Sequence, residues 1–221
     1  MSGIILYGND ISPPVRACLL TLKALKLNFE YKHVDILAGE QLTDDFIKHN
    51  PQHTVPTLSD NGVWLWDSHA ICAYLVDKYA KDDSLYPRDL VLRARVHQRL
   101  YFDASILFMS LRCITRPMFK NNVSIVPREK TQGIIEGYTL LEKFLTSAPY
   151  LVSDCLTIAD FCCVATATSL GGVIELDAKK YPKVSAWIER LKKLPYYEEA
   201  NGWGCKRYIE ILKTRLTAIV S

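Results

Sequence analysis

Asn50–Ala70 reads NPQHTVPTLSDNGVWLWDSHA, and the rest of the chain is best understood from it. Val55-Pro56 stands just before the apolar pair Thr57-Leu58. Asp60-Asn61-Gly62 separates that pair from Val63-Trp64-Leu65, which makes a hairpin of two short strands. Asp67-Ser68-His69 then opens a helix carrying Ala70, Ile71, Tyr74 and Leu75. Proline has no N–H, so Pro56 leaves the main chain of Val55 to pair with a ligand backbone. A helix start at Ser68 offers unpaired N–H groups to a carboxylate. Main-chain pairing plus carboxylate capture points to a peptide-like ligand.

Upstream, Ile4–Tyr7 is a short apolar run, expected as a buried strand, and Gly8–Ser12 is a turn. Pro13-Pro14 opens a helix with Val15, Cys18, Leu19, Leu22 and Leu25 at helical spacing, and Ser12 is its N-cap candidate. FEYKHVDI (29–36) predicts a second strand, and Leu42–Ile47 a short helix. The order β-α-β-α-β-β-α implies a mixed sheet. Residues 81–89 are polar, contain Pro87 and suit a linker. Beyond it the pattern is helical over 90–119, 128–146, 157–170, 183–193 and 206–219. The expected fold class is therefore α/β plus all-α, with a small sheet domain over 1–80 and a helical domain over 90–221.

Composition narrows the function. The net charge is +3, from 27 basic and 24 acidic residues, too weak and interspersed for nucleic-acid binding. Seven cysteines occur without CxxC spacing, so neither a zinc site nor a dithiol centre is expected, and reduced thiols are. No apolar run approaches the ~20 residues of a spanning helix, and no leader pattern begins the chain, so a cytoplasmic protein without membrane association is expected.

Four motifs in order carry a resemblance: Ser12-Pro13-Pro14-Val15-Arg16, Asn50–Leu58, Asp67-Ser68-His69-Ala70-Ile71 and Leu156-Thr157-Ile158-Ala159-Asp160. Over essentially its whole length the chain resembles the cytosolic glutathione transferases, in particular the serine-type insect classes, epsilon first and delta next. The resemblance implies a thioredoxin-like N-terminal domain, a C-terminal helical bundle, a homodimer, glutathione as co-substrate, and neither a permanently bound cofactor nor a metal.

Conjugation needs a thiolate, and a hydroxyl beside a helix N-terminus can stabilise one. Ser12 fits that catalytic role, although its position equally suits a simple N-cap. Tyr7 is the rival, because other classes use a tyrosine near the end of the first strand; inside an apolar run it reads instead as structural. By resemblance, Val55-Pro56 is cis and the Val55 main chain pairs with the cysteinyl backbone of glutathione, flanked by Thr54. Asp67 holds the γ-glutamyl ammonium and Ser68 its carboxylate, while the alternative for both is helix capping. The family more often has Glu at the position of Asp67. His53 and Gln41 are expected to reach the glycyl carboxylate, and epsilon-like members often have His where Gln41 stands. His69 is expected to face the ligand or the neighbouring subunit. Arg112, in the apolar context FMSLRCI, calls for an anionic partner and is assigned to glutathione ahead of Arg116.

An apolar acceptor pocket is expected between the domains, from Ile11, Leu37, Phe108, Leu111, Thr115, Arg116, Phe119 and Tyr208. Each is equally compatible with helix core. Thr157–Asp160 is a capping box assigned to folding. The implied activity is conjugation of the glutathione thiolate to small hydrophobic electrophiles in detoxification. A non-catalytic carrier of glutathione and hydrophobic ligands is the alternative, as is a glutathione-dependent peroxidase or isomerase.

Overall fold

The computed structural model describes residues 3–220; Met1, Ser2 and Ser221, at the ends of the two expected domains, lie outside the described residues. β1 (Ile4–Gly8) buries Ile4, Leu6 and Gly8 and turns Ile5 and Tyr7 to the other face, the period-two alternation of a strand covered more deeply on one side. It pairs parallel with β2 (Glu30–His33) and antiparallel with β3 (Thr57–Asp60), which pairs antiparallel with β4 (Val63–Trp66). The mixed sheet thus has the order β2-β1-β3-β4. A parallel pair needs a crossover, and α1 (Pro13–Ala24) supplies it.

The hairpin between β3 and β4 turns at Asn61 and Gly62, whose φ values of 49° and 86° are those of a type I′ turn. Asp60, at the end of β3, is fully buried and accepts bonds from Tyr74 Oη (2.8 Å), Lys78 Nζ (2.7 Å) and Tyr79 Oη (2.7 Å). All three donors lie on α3 (Ser68–Tyr79), so one carboxylate ties the hairpin to that helix. The expected helix over 42–47 is displaced: α2 spans Asp44–His49, because Thr43 caps it by accepting the Phe46 N–H, and Glu40–Leu42 form a separate 3₁₀ turn.

A helical half follows, with α4 (Leu90–Phe102), α5 (Phe108–Asn121), α6 (Gln132–Phe144), α7 (Ile158–Leu170), α8 (Pro182–Lys192) and α9 (Trp203–Arg215). The helix expected over 90–119 is continuous in direction but changes to a π turn at Asp103–Leu107. α7 is its central post, buried on almost every side. The capping box at its start forms as expected: Asp160 accepts from Thr157 N–H at 2.9 Å. The same carboxyl also accepts from Leu151 N–H and Trp187 Nε1–H, both at 3.0 Å, which binds α7 to α8.

One expected helix ends early. Residues 206–219 do not continue as one helix: Leu216 turns extended, and β6 (Ala218–Val220) pairs in parallel with β5 (Ile125–Pro127). Ile219 and Val220 are β-branched, and α9 ends just ahead of them. No helix among the described residues is long and apolar enough to cross a membrane.

Candidate functional site

A cleft of about 510 Å³ opens between the two halves. Gln52, His53, Thr54, Val55 and Pro56 form one wall, Asp67, Ser68 and His69 the floor, and Asp103, Ala104, Phe108 and Arg112 the opposite wall, with Pro14 at one end. A larger hollow of about 660 Å³ lies among α7, α8 and α9 and contains none of these residues.

The loop wall is held by a residue to which the sequence reading gave no role. Asn50 is fully buried; its Nδ2 donates to the Thr54 carbonyl (2.9 Å) and to Thr57 Oγ1 (2.8 Å), and its Oδ1 accepts from Gln52 N–H (2.9 Å). Within that loop the Val55-Pro56 bond is cis and His53 has a φ of 46°. The register of β1 on β3 begins at Thr57, so the main chain of Val55 lies outside the ladder.

At the floor, α3 leaves its first N–H groups to be satisfied from outside. Asp67 Oδ1 takes two of them, accepting from His69 N–H at 2.9 Å and Ala70 N–H at 3.3 Å. The Ser68 N–H meets no acceptor among the described residues, and it stands beside the Ser68 hydroxyl at the positive end of the helix. That pair suits a carboxylate. Asp67 therefore does act as a cap, and its second oxygen remains.

His69 is clamped between two carboxylates, Nδ1 at 3.2 Å from Asp67 Oδ1 and Nε2 at 2.9 Å from Asp103 Oδ2. Burial alone lowers its pKa, but the hydrogen bonds its ring donates to Asp103 and then Asp67 override burial and raise it to about 10. The imidazole is thus a cation at neutral pH. Asp67 is held below its ordinary value, first by the His69 contact. Burial pushes Asp103 up, and the same histidine opposes that push. Asp103 Oδ1 is buried without a hydrogen-bond partner among the described residues, at the wall of the cleft.

Ser12 does not line the cleft, although Pro14 in the next turn does. It occupies the N-cap position of α1, yet its hydroxyl makes no cap bond. Pro13 and Pro14 remove the first two N–H donors of that helix, so the hydroxyl is not consumed by capping. Ser12 N–H donates to the Asn9 carbonyl at 2.9 Å, which fixes the turn. Arg16, one turn into α1, is completely buried. It donates from Nη1 to the carbonyls of Asp10 (3.2 Å) and Ile11 (3.0 Å), from Nη2 to Ala165 O (3.0 Å) and Ser169 Oγ, and from Nε to Asn201 Oδ1 (2.9 Å). No carboxylate shares this network; neutral oxygens from both halves solvate the guanidinium and pin the loop that carries Ser12.

Tyr7 points elsewhere. Its ring meets Phe46 edge-on and Trp64 at an angle, in a hollow of about 260 Å³ beneath α2. Gln41 also lies outside the cleft. Its Nε2 donates to Ile36 O at 3.4 Å within the same surface loop, and its Oε1 is buried without a partner among the described residues.

The acceptor candidates divide by helix face. On α5 the buried positions are Leu111, Ile114, Thr115 and Met118, the 3.6-residue stripe that packs inward. Leu111 is 1% exposed and offers a ligand no surface; Thr115 is nearly as deep. Phe108 and Arg112 stand on the outer face at the cleft, and Arg116 continues that face. Arg112 is exposed, so burial is not what calls for its anionic partner. Ile11 and Tyr208 are buried, and burial pushes the Tyr208 phenol up to about 12. Phe119 packs 6.5 Å from Tyr208 and beneath Arg215, while Leu37 is half exposed and apart from the cleft. Among the described residues no cluster of His, Cys, Asp or Glu could hold a metal.

Two family models match the chain, Glutathione S-transferase, N-terminal domain over residues 11–78 and Glutathione S-transferase, C-terminal domain over residues 105–195. The chain belongs to the glutathione S-transferase family. An epsilon-class glutathione S-transferase from the housefly Musca domestica superposes with a TM-score of 0.96 at 54% identity, covering 98% of this chain and 100% of that one. A glutathione transferase homolog from Drosophila mojavensis, solved with bound glutathione, gives 0.96 at 45% identity over 99% of this chain and 100% of its own. Glutathione S-transferase 1 of Manduca sexta is 42% identical over 214 residues, 96% of this chain and 98% of its own length. This transferase is thus an enzyme similar to insect members of the family, including the epsilon class.

Proposed function

We propose that the cleft is where this glutathione transferase holds its co-substrate, with the γ-glutamyl end at Asp67 and Ser68, the cysteinyl backbone along Val55 and the glycyl carboxylate toward His53. The observation that carries this reading is the unspent Ser68 N–H beside its own hydroxyl, on the same floor as the second oxygen of Asp67. Together they match an α-carboxylate and an α-ammonium on one carbon. Thr54 and Pro56 shape the turn, Arg112 adds a cation from α5, and His69, held by Asp103, supplies positive charge at the floor. Gln41 has no part in this reading, because its amide is turned to Ile36.

Ser12 is the hydroxyl proposed to donate to the thiolate. A free thiol with a pKa near ~8.5 is only a few per cent ionised at pH 7, and lowering that value by two units corresponds to roughly 2.7 kcal/mol of preferential thiolate stabilisation. A hydrogen bond to sulfur and the positive end of α1 are the sources available. Catalysis is then thiolate stabilisation together with alignment of two bound reactants. Phe108 is the apolar side chain at the cleft proposed to meet the electrophile. Homodimerisation, a cytoplasmic location and a detoxifying role complete the proposal, with residues 81–89 as the connector between the two domains.

The test compares two variants with the parent enzyme: the pKa of bound glutathione, read from thiolate absorbance, and the rate of conjugation to a neutral electrophile. Ser12→Ala is expected to raise that pKa and slow conjugation, with Tyr7→Phe close to parental. The reverse pattern would move the catalytic role to Tyr7, and glutathione binding without turnover in the parent would favour the carrier.

A further inference from the structure

The cleft does not end at Arg112. The same side chain forms the near wall of a second groove of about 390 Å³ that runs along the outer face of α5, past Met109 and Pro117 to Lys120. Arg112, Arg116 and Lys120 follow at four-residue intervals, so they stack on one side of the helix. All three are exposed, and none has an ion pair with a described residue. No carboxylate lines the groove, and α5 itself contains neither Asp nor Glu. Like charges four residues apart oppose helix formation. This helix therefore carries a repulsive row of cations where the cleft opens outward, and an anion seated there relieves the repulsion.

We infer that the groove is an anion subsite of the acceptor pocket, and that the preferred electrophiles are apolar molecules carrying a carboxylate, sulfonate or phosphate. The inference rests on the glutathione reading of the cleft, which already uses Arg112 and leaves Arg116 and Lys120 over. The apolar part of the acceptor lies against Phe108 and Met109, and its anion meets Arg116 and Lys120. For an aryl chloride the thiolate sulfur bonds to the ring carbon that bears chlorine. The C–Cl electron pair leaves with chloride, and the thiol proton has already passed to solvent.

The test uses two matched electrophiles, 4-chloro-3-nitrobenzoate and its carboxamide. The enzyme is expected to favour the carboxylate over the amide by about tenfold beyond the ratio of their uncatalysed reactions with glutathione at low ionic strength. Arg116→Gln with Lys120→Gln is expected to bring that preference down to the uncatalysed ratio, and Arg116→Lys, which keeps the charge, to retain most of it. No preference in the parent enzyme, or one that survives the double substitution, overturns the subsite and leaves the glutathione reading standing. Calorimetric titration with unreactive 3-nitrobenzoate and 3-nitrobenzamide, without glutathione, separates the two ideas. If neither chloride is conjugated yet the benzoate binds tighter and loses that advantage in the double variant, the glutathione reading fails and the subsite stands. Equal binding of the two probes rejects the subsite.

Discussion

The two walls of the cleft are built from different kinds of atom. On the Gln52–Pro56 side the chemistry offered is mostly main chain, set in place by Asn50 from behind, and at the floor one short hydroxyl and one N–H of α3 stand beside the Asp67 carboxylate and the His69 ring. On the α5 side it is long side chains projecting from a single helix face. A main-chain wall keeps its chemistry when its side chains change, so it suits an invariant ligand. A side-chain wall changes with every substitution, so it suits a partner that varies.

The largest expected blow to this arrangement falls on neither wall but on the residue that holds the Ser12 loop to the helical half. Arg16→Met leaves the Asp10, Ile11 and Ala165 carbonyls and the Ser169 and Asn201 side chains without their donor. It is expected to cost about 4 kcal/mol of stability, read by denaturant unfolding. Unchanged stability would mean that water replaces the guanidinium at no cost.

The floor is next, through its charge. Because the His69 pKa is raised to about 10, above its unfolded value near 6.5, its contribution is complete below about pH 6.5 and lost as pH rises through about 10. The stability gap between the parent and His69→Gln is therefore expected to be on the order of 3 kcal/mol near neutrality and to close by pH 10.5. A gap independent of pH would show that the histidine acts by packing alone.

At the start of α1, Ser12→Ala is expected to lower kcat/KM near pH 6.5 about a hundredfold, the equivalent of two units of thiol pKa. The smallest effect sharpens the wall comparison itself. Asp67→Asn keeps an N-cap acceptor but removes one of the two carboxylates facing His69, so stability should fall by about 1 kcal/mol, while KM for glutathione rises as the ammonium loses its counter-charge. Val55→Ala, on the main-chain wall, should change KM less than Asp67→Asn does.

The sheet half was legible because its signals are local. Pro56 before a short strand, Asn61-Gly62 at a hairpin, and Asp67-Ser68 at a helix start each declare a backbone geometry within a few residues. The roles of Asn50, Arg16 and Asp103 were not legible, because each depends on what lies at a distance. Asn50 reaches forward to Thr57, Arg16 back to Asp10 and far forward to Asn201, and Asp103 meets His69 from the other half. An arginine written among Pro, Val and Ala hints at burial, but not at which oxygens will receive it. α5 misled for a different reason. Its apolar and basic residues alternate faces every few positions, so Leu111 and Arg112 are neighbours in sequence and belong to opposite sides of the helix. The β6 strand escaped notice because three residues gain strand geometry only when β5, some ninety positions earlier, is there to pair with them.

The Arg16 network also bears on how the molecule comes into being. The loop that presents Ser12 is written in the first dozen residues, yet two of the oxygens that fix it belong to Ala165 and Asn201. During synthesis the surroundings of Ser12 must wait for nearly the entire chain to emerge, however early the sheet forms. A product ending short of Ala165 would carry the Val55 loop and the α3 start without a settled Ser12. Full turnover would therefore report that translation had passed Asn201.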